Sequence, residues 1–358
     1  MKAADVLRLR LARQGLARPA FTTPEGVVSW FGAMQAQDYL GSLWAIGLRT
    51  VAATEAQVEA AESRRAIVRT WPMRGTLHFV AAEDARWMTR LLAPRVIAKH
   101  SARWQREFGM DARMISRADE VVARALEGGQ RLSRDAMYEA LESRRIRTGN
   151  SRGLHLLLCL AMQGRVCLAG RDGKQHTFAL LDEWLPKSRD VSGEEALVEL
   201  AQRYFTSHGP ATLKDFAWWA GLTLREARIA AGGVPAVLTK ASIEGIDYWW
   251  HDDGKLRTAK PAAAEVRLLP AYDEFTVAYH DRALLLDGRA PASKMSLLSP
   301  AVLVDGRVAG SWKRVLGSKD VKVEVKPTRK FSTAECVALR KTVGAYGNFL
   351  GRRASLAN

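Results

Sequence analysis

Two stretches of the chain carry the same order of elements: a helix, a second helix, then a short two-stranded ribbon. Elements this small bury their apolar stripes only by packing on one another, so each stretch has to fold as one unit. The clearer one runs from Arg131 to Leu181, where Ser133 is placed to cap a helix with apolar positions at Ala136, Met137, Ala140 and Leu141. A second helix is predicted from Ser151, with Leu154, Leu157, Leu158 and Ala161 on one face and Gly164 as its left-handed stop. Val166 and Leu168 then point one way, Gly170–Lys174 is turn chemistry, and Thr177–Leu181 reads as the returning strand.

The second stretch opens with a helix over Glu194–His208, striped by Leu197, Leu200, Ala201 and Tyr204 and stopped at Gly209–Pro210. Thr212 starts the next helix, with a seam of Leu213, Phe216, Ala217 and Ala220 closed by Gly221. Thr223 and Glu226 have the spacing of a capping box for a third helix that Gly232–Gly233 ends. Val237–Ile243 and Ile246–Trp250 then flank Glu244–Gly245 as a hairpin. A less regular copy is read near the N-terminus, where a helix over Glu55–Arg64 precedes Ile67–Trp71 and Thr76–Val80 around Pro72–Gly75. Helices followed by a wing predict tandem winged helices.

After residue 265 the pattern changes to short strands, at Glu265–Leu269, Phe275–Tyr279, Ala283–Leu286, Val302–Val304, Val308–Trp312 and Val321–Val325. Asp287–Gly288 and Asp305–Gly306 are hairpin signals, and a helix from Thr333 to about Phe349 closes the region. The fold class expected is α+β, tandem winged helices with a C-terminal β-barrel-like element. The expected segments are 1–110, 111–190, 191–264 and 265–358.

A net charge of +16 over 358 residues favours a polyanionic partner, and nucleic acid is the first choice for winged helices. Basic residues gather along the C-terminal region at Lys313, Arg314, Lys319, Lys322, Lys326, Arg329 and Lys330, a pattern that also fits a solvated face. No apolar run reaches the length of a membrane span, and Met1–Arg13 is too charged for a secretory signal, so a cytoplasmic location is expected. Cys159, Cys167 and Cys336 suggest neither a disulfide framework nor a zinc knuckle. The scattered histidines make no metal motif, and no phosphate loop or dinucleotide fingerprint is present, so no metal and no cofactor are expected.

Thr23-Pro24 starts a helix whose face is Val27, Trp30, Phe31 and Met34, expected to end near Gln35. Gln35 and Gln37 stand there two apart. In a continuous helix their amides would diverge by about 200°, and only an extended or irregular backbone would turn both to one site. From spacing alone they read as ordinary polar surface residues.

Resemblance gives the pair a chemistry. Met34-Gln-Ala-Gln-Asp38, the run Val68-Arg-Thr-Trp-Pro-Met-Arg-Gly-Thr-Leu-His-Phe-Val80, Leu268-Leu-Pro-Ala-Tyr-Asp-Glu-Phe275 with Tyr279-His-Asp-Arg282, and Val304-Asp-Gly-Arg-Val-Ala-Gly-Ser-Trp312 resemble the tandem winged-helix DNA glycosylases of the AlkZ and YcaQ type. The likeness spans nearly the whole chain. It implies excision of alkylated or crosslinked purines from double-stranded DNA by a C-shaped array of winged helices. The family's motif of Gln, an apolar residue, then Gln or Asp falls on Gln35, Ala36 and Gln37, the branch without a motif carboxylate.

An amide cannot act as a general base, but it can orient water beside an oxocarbenium-like sugar. The resemblance therefore makes Gln35 and Gln37 the catalytic candidates. Arg69, Arg74, Arg152, Arg165, Arg225, Arg228, Arg282 and Lys313 are the DNA-binding candidates, on a chain expected to work as a monomer. Asp38 is next to the pair in sequence, and Asp273 and Glu274 are consecutive carboxylates that an expected strand would point to opposite faces; the sequence leaves open whether any of the three assists catalysis. The alternative is a non-enzymatic winged-helix regulator that binds duplex DNA without breaking a bond.

Overall fold

Capping chemistry sets the helix boundaries largely where the sequence places them. Ser133 accepts the Ala136 N–H and starts helix Arg134–Ser143, and Gly221, at φ +72°, ends Leu213–Ala220. Thr223 and Glu226 close their reciprocal box at the head of Leu224–Gly233. The computed structural model describes residues 2–234, 238–252, 264–286 and 298–357. The fold is mixed α+β, as expected, and among the described residues no helix is long and apolar enough to cross a membrane.

The chain divides into two compact units, one of Glu59–Leu197 and one of Met1–Val58 with Val198–Asn358. These boundaries differ from the four segments read from the sequence, because the N-terminal helices share a body with the C-terminal half. Within Glu59–Leu197 two hairpins, Ile67–Met73 with Thr76–Ala81 and Val166–Asp172 with Gln175–Leu180, join edge to edge, Arg69 pairing with Leu168. Leu132–Ser133 adds a short antiparallel edge. The sequence predicts the hairpins but not their union in one sheet, since pairing between distant strands leaves no local signal.

Under that sheet, helices Ala112–Leu126, Arg134–Ser143 and Arg152–Met162 bury Leu126, Met137, Leu141, Leu156 and Leu160 completely. The stripe predicted on the last helix is corrected in part. Leu154 is exposed, whereas Gly153, Leu156, Leu157, Leu160 and Ala161 face the core, one position round from the expected face. Gly170 does not end its strand, because the strand continues to Asp172 past an irregularity that the glycine, at φ +76°, permits.

In the other unit, helices Leu213–Ala220 and Leu224–Gly233 lead to the hairpin Leu238–Ile243 with Ile246–His251, whose turn residues Glu244 and Gly245 both have positive φ. Val237, assigned to this ribbon from sequence, lies outside the described residues. The C-terminal sheet has the order Arg353–Leu356, Asp320–Pro327, Arg307–Leu316, Ala301–Val304, Val266–Leu269, and curls into a half-barrel. Helix Thr333–Leu350 packs on it, with Trp312 edge-on to Tyr346 and the Thr342 hydroxyl donating to the Val266 carbonyl. Two predicted strands are corrected: Glu274–Val277 is a helical turn capped by Asp273, and Ala283–Leu285 is a 3-10 turn. The parallel strand Arg353–Leu356 was not foreseen, and Asp287–Gly288 lies outside the described residues.

Candidate active site

Helix Pro24–Phe31 starts as read from sequence, with Thr23 Oγ1 accepting the Gly26 N–H at 3.2 Å. Its end is a correction. Gly32 takes φ +76° and ψ −51°, the helix stops at Phe31, and Ala33–Gln35 is a short strand. Met34 is still buried, but from an extended backbone. The continuous helix that would have set Gln35 and Gln37 on divergent faces is thus absent, and the motif sits on the kind of backbone that a shared site requires. Gln35 is half-buried and Gln37 exposed. Asp38 plays a structural part, capping helix Tyr39–Gly47 by accepting the Gly41 N–H at 3.2 Å.

Behind Gln35 lies a buried carboxylate. Glu274, 1% exposed, accepts the Gln35 main-chain N–H on Oε1 at 2.7 Å and the Trp219 indole N–H on Oε2 at 3.0 Å. His208 Nε2 stands 3.4 Å from Oε2, and burial lowers the pKa of this ring although the carboxylate opposes it. The ring is wedged in place, stacked on Tyr204 with centroids 4.7 Å apart and edge-on to Phe31.

The adjacent carboxylate does something else. Asp273 receives both terminal nitrogens of Arg49 at 2.8 Å, while Arg49 also donates to the Gln14 side-chain Oε1. Gln14 donates to the Tyr279 hydroxyl, which donates to the His208 carbonyl at 2.8 Å. Arg10 lies 3.7 Å above the Tyr279 ring and donates to the Pro210 carbonyl. Burial raises the pKa of both Tyr204 and Tyr279, so these hydroxyls stay protonated donors. Cations, amides and rings from several elements therefore converge on the turn that carries Glu274.

The sequence missed Glu274, His208, Arg49 and Gln14 as parts of one assembly. Their only local signals are the Asp273-Glu274 pair and His208 before Gly209–Pro210, and their partners lie up to 265 residues away in the chain. Trp218 and Trp219 divide as adjacent helical residues must. Trp219 is fully buried against Glu274, and Trp218 is 47% exposed, its indole held by the Val277 carbonyl and the Arg282 guanidinium 5.7 Å from its ring.

The proposed DNA-contacting cations fall in different surroundings. Arg225 and Arg228 are exposed on helix Leu224–Gly233. Arg165 is exposed but paired with Asp119 at 2.7 Å, and Lys313 pairs with Glu324 across the sheet at 2.8 Å. Such surface pairs are worth little net energy, about 1 kcal/mol or less. Arg152 is half-buried at the start of its helix, Arg282 half-buried beside Trp218, and Arg74 sits in its hairpin turn with Nη2 3.2 Å from His78 Nε2.

Arg69 is the correction. It is 4% exposed and donates to His176 Nε2 at 2.9 Å, so burial takes it out of reach of a phosphate. His78 is buried in the ribbon and His155 stacks on Phe108. Cys159 and Cys167 are buried thiols, Cys159 pushed up to about 11.

Comparison with known proteins agrees with the family resemblance read from the sequence. Residues 28–349 match the family model described as DNA glycosylase AlkZ-like. A protein named interstrand DNA cross-link repair glycosylase, from Streptomyces sahachiroi, is 26% identical over 338 residues, covering 88% of this chain and 89% of that protein. The solved structure of Streptomyces sahachiroi DNA glycosylase AlkZ aligns over 100% of both chains at 24% identity with a TM-score of 0.80, which establishes the shared fold.

Proposed function

Since the chain belongs to the AlkZ-like DNA glycosylase family, we propose that it hydrolyses the N-glycosidic bond of alkylated purines in duplex DNA with Gln35 and Gln37 as its catalytic pair. The substrate proposed is an N7-alkylguanine, as a bulky adduct or one arm of an interstrand crosslink. The name of the Streptomyces sahachiroi relative favours the crosslink. The observation that carries the reading is the placement of Gln35 at the end of a strand, its main chain tied to a buried carboxylate.

N7 alkylation gives the purine a positive charge. As the C1′–N9 bond breaks, its electron pair goes to the base, which leaves neutral and needs no protonation. The barrier is then the oxocarbenium-like sugar. Two amide oxygens can orient water toward C1′ and stabilise the cation, the water oxygen bonds to C1′, and its proton passes to solvent. Hydrolysis without a lyase step is proposed, because the sequence singles out no desolvated lysine to form a Schiff base.

Arg74, Arg152, Arg165, Arg225, Arg228, Arg282 and Lys313 are proposed to bind the phosphate backbone, by a monomeric chain acting in the cytoplasm. If most of them do so, affinity falls by about a thousandfold between roughly 50 and 200 mM salt. The function is tested by incubating duplex DNA containing N7-alkylguanine with the protein and revealing abasic sites with heat or alkali. Wild type should release the base, and Gln35→Ala and Gln37→Ala should each slow release by about a hundredfold or more. Binding without release from any alkylated duplex would hand the case to the regulator.

A further inference from the structure

We infer that Glu274 is the positioning residue of this site, holding the Gln35 backbone so that the Gln35 amide meets the sugar in one orientation. The inference rests on the proposed role of Gln35 and extends it to a residue outside the motif. Oε1 takes the Gln35 N–H at 2.7 Å, shorter than the usual amide hydrogen bond, and the carboxylate is 1% exposed, so water does not compete for it. Oε2 faces the Trp219 N–H at 3.0 Å and His208 Nε2 at 3.4 Å. Both oxygens thus meet donors, a demand that a carboxylate satisfies and a neutral side-chain amide does not.

Glu274 is in turn held from behind. It is the first residue of the four-residue helical turn Glu274–Val277, which Asp273 caps, and Asp273 is clamped by Arg49 through two 2.8 Å bonds. Tyr204 donates to the Ala278 carbonyl at the far end of that turn, and Trp218 to the Val277 carbonyl. The position of Gln35 is therefore set from residues more than two hundred positions later in the chain. A glutamine amide has several rotamers on a short strand, and only a fixed Cα limits where its oxygen can reach.

The test replaces the acceptor pair by an acceptor and a donor. Glu274→Gln has the same size, but its NH2 must face either the Gln35 N–H or the Trp219 N–H. Single-turnover base release from N7-alkylguanine duplex should slow by about 10- to 100-fold, while Kd for the same duplex stays within about twofold. Adding Trp219→Phe removes the competing donor, lets the amide turn its oxygen to Gln35, and should recover most of the rate of Trp219→Phe alone.

A structural role alone would weaken binding and rate together and would gain nothing from the second change. Where Glu274→Gln fails to fold, Glu274→Asp, which retracts the carboxylate by one methylene, takes its place with the same expected split. Wild-type rate in Glu274→Gln, a loss of rate matched by loss of DNA binding, or no recovery in the double variant overturns the inference. An inactive wild type, or an active Gln35→Ala, removes the reading beneath it instead, so the two failures are distinct.

Discussion

Beneath helices Arg134–Ser143 and Arg152–Met162 the buried groups include Met137, Leu141, Leu156, Leu157 and Leu160; behind Gln35 the polar groups of Arg10, Gln14, Arg49, Asp273, Glu274 and His208 are buried among the rings of Phe31, Tyr204, Trp219 and Tyr279. The first interior gains stability from area removed from water, about 1.5–3 kcal/mol for each large side chain, and asks only that volumes fit. The second gains little net energy from its ion pair, because desolvating both charges consumes most of the attraction. What it gains is direction: each bond has a donor, an acceptor and an angle. Geometry behind Gln35 therefore comes from its polar groups, while apolar burial supplies stability in both interiors.

Single substitutions should separate them. The largest effect is expected from Asp273→Ala, which strands the fully buried Arg49 guanidinium and should cost about 3–5 kcal/mol in urea unfolding. Asp273→Leu with Arg49→Met should cost clearly less, and an equal cost would show that the polar interior is a source of stability after all. Leu160→Ala should come next, at about 2–5 kcal/mol, yet leave base release per folded molecule unchanged. A fall in the rate of the folded fraction would break the division of labour.

A smaller effect tests the polar spot in the mainly apolar unit. Burial, then the charges of Arg69 and Arg171, depress His176 to about 4 from an ordinary 6.5. A depressed base binds fewer protons folded than unfolded, so its contribution is complete above pH 6.5 and is lost as pH falls through 4. The unfolding midpoint should decline over that window, and His176→Gln should flatten the decline. The smallest change is Thr223→Ala, about 1 kcal/mol from a lost helix cap in urea unfolding, with DNA binding altered only through fraying of the helix that carries Arg225 and Arg228.

Local chemistry was legible in advance. The caps at Thr23, Ser133, Thr212 and Thr223 act within four residues, as did the hairpin turns at Glu244–Gly245 and Asp305–Gly306, and all of these appear. The Phe275–Tyr279 strand failed because Asp273 offers its carboxylate to the Phe275 N–H and starts a helical turn instead, a competition that alternation of apolar residues does not register. Leu154 failed by one position on a helix that is apolar almost all round. The glutamine motif was visible, whereas the carboxylate behind it was not, since Gln35 and Glu274 are 239 positions apart and share no local signature.

Gly32 carries a stereochemical consequence. It is the residue at which a right-handed screw becomes a pleated ribbon, and it does so at φ +76°, a torsion that disfavours L-amino acids. A methyl group built there in the L configuration would meet the Arg203 side chain no closer than 3.5 Å, so the obstacle is handedness and not room. A mirror-image alanine, introduced by chemical ligation, would fit this torsion where its natural enantiomer strains it. The motif glutamines thus owe their placement to the one amino acid that has no hand.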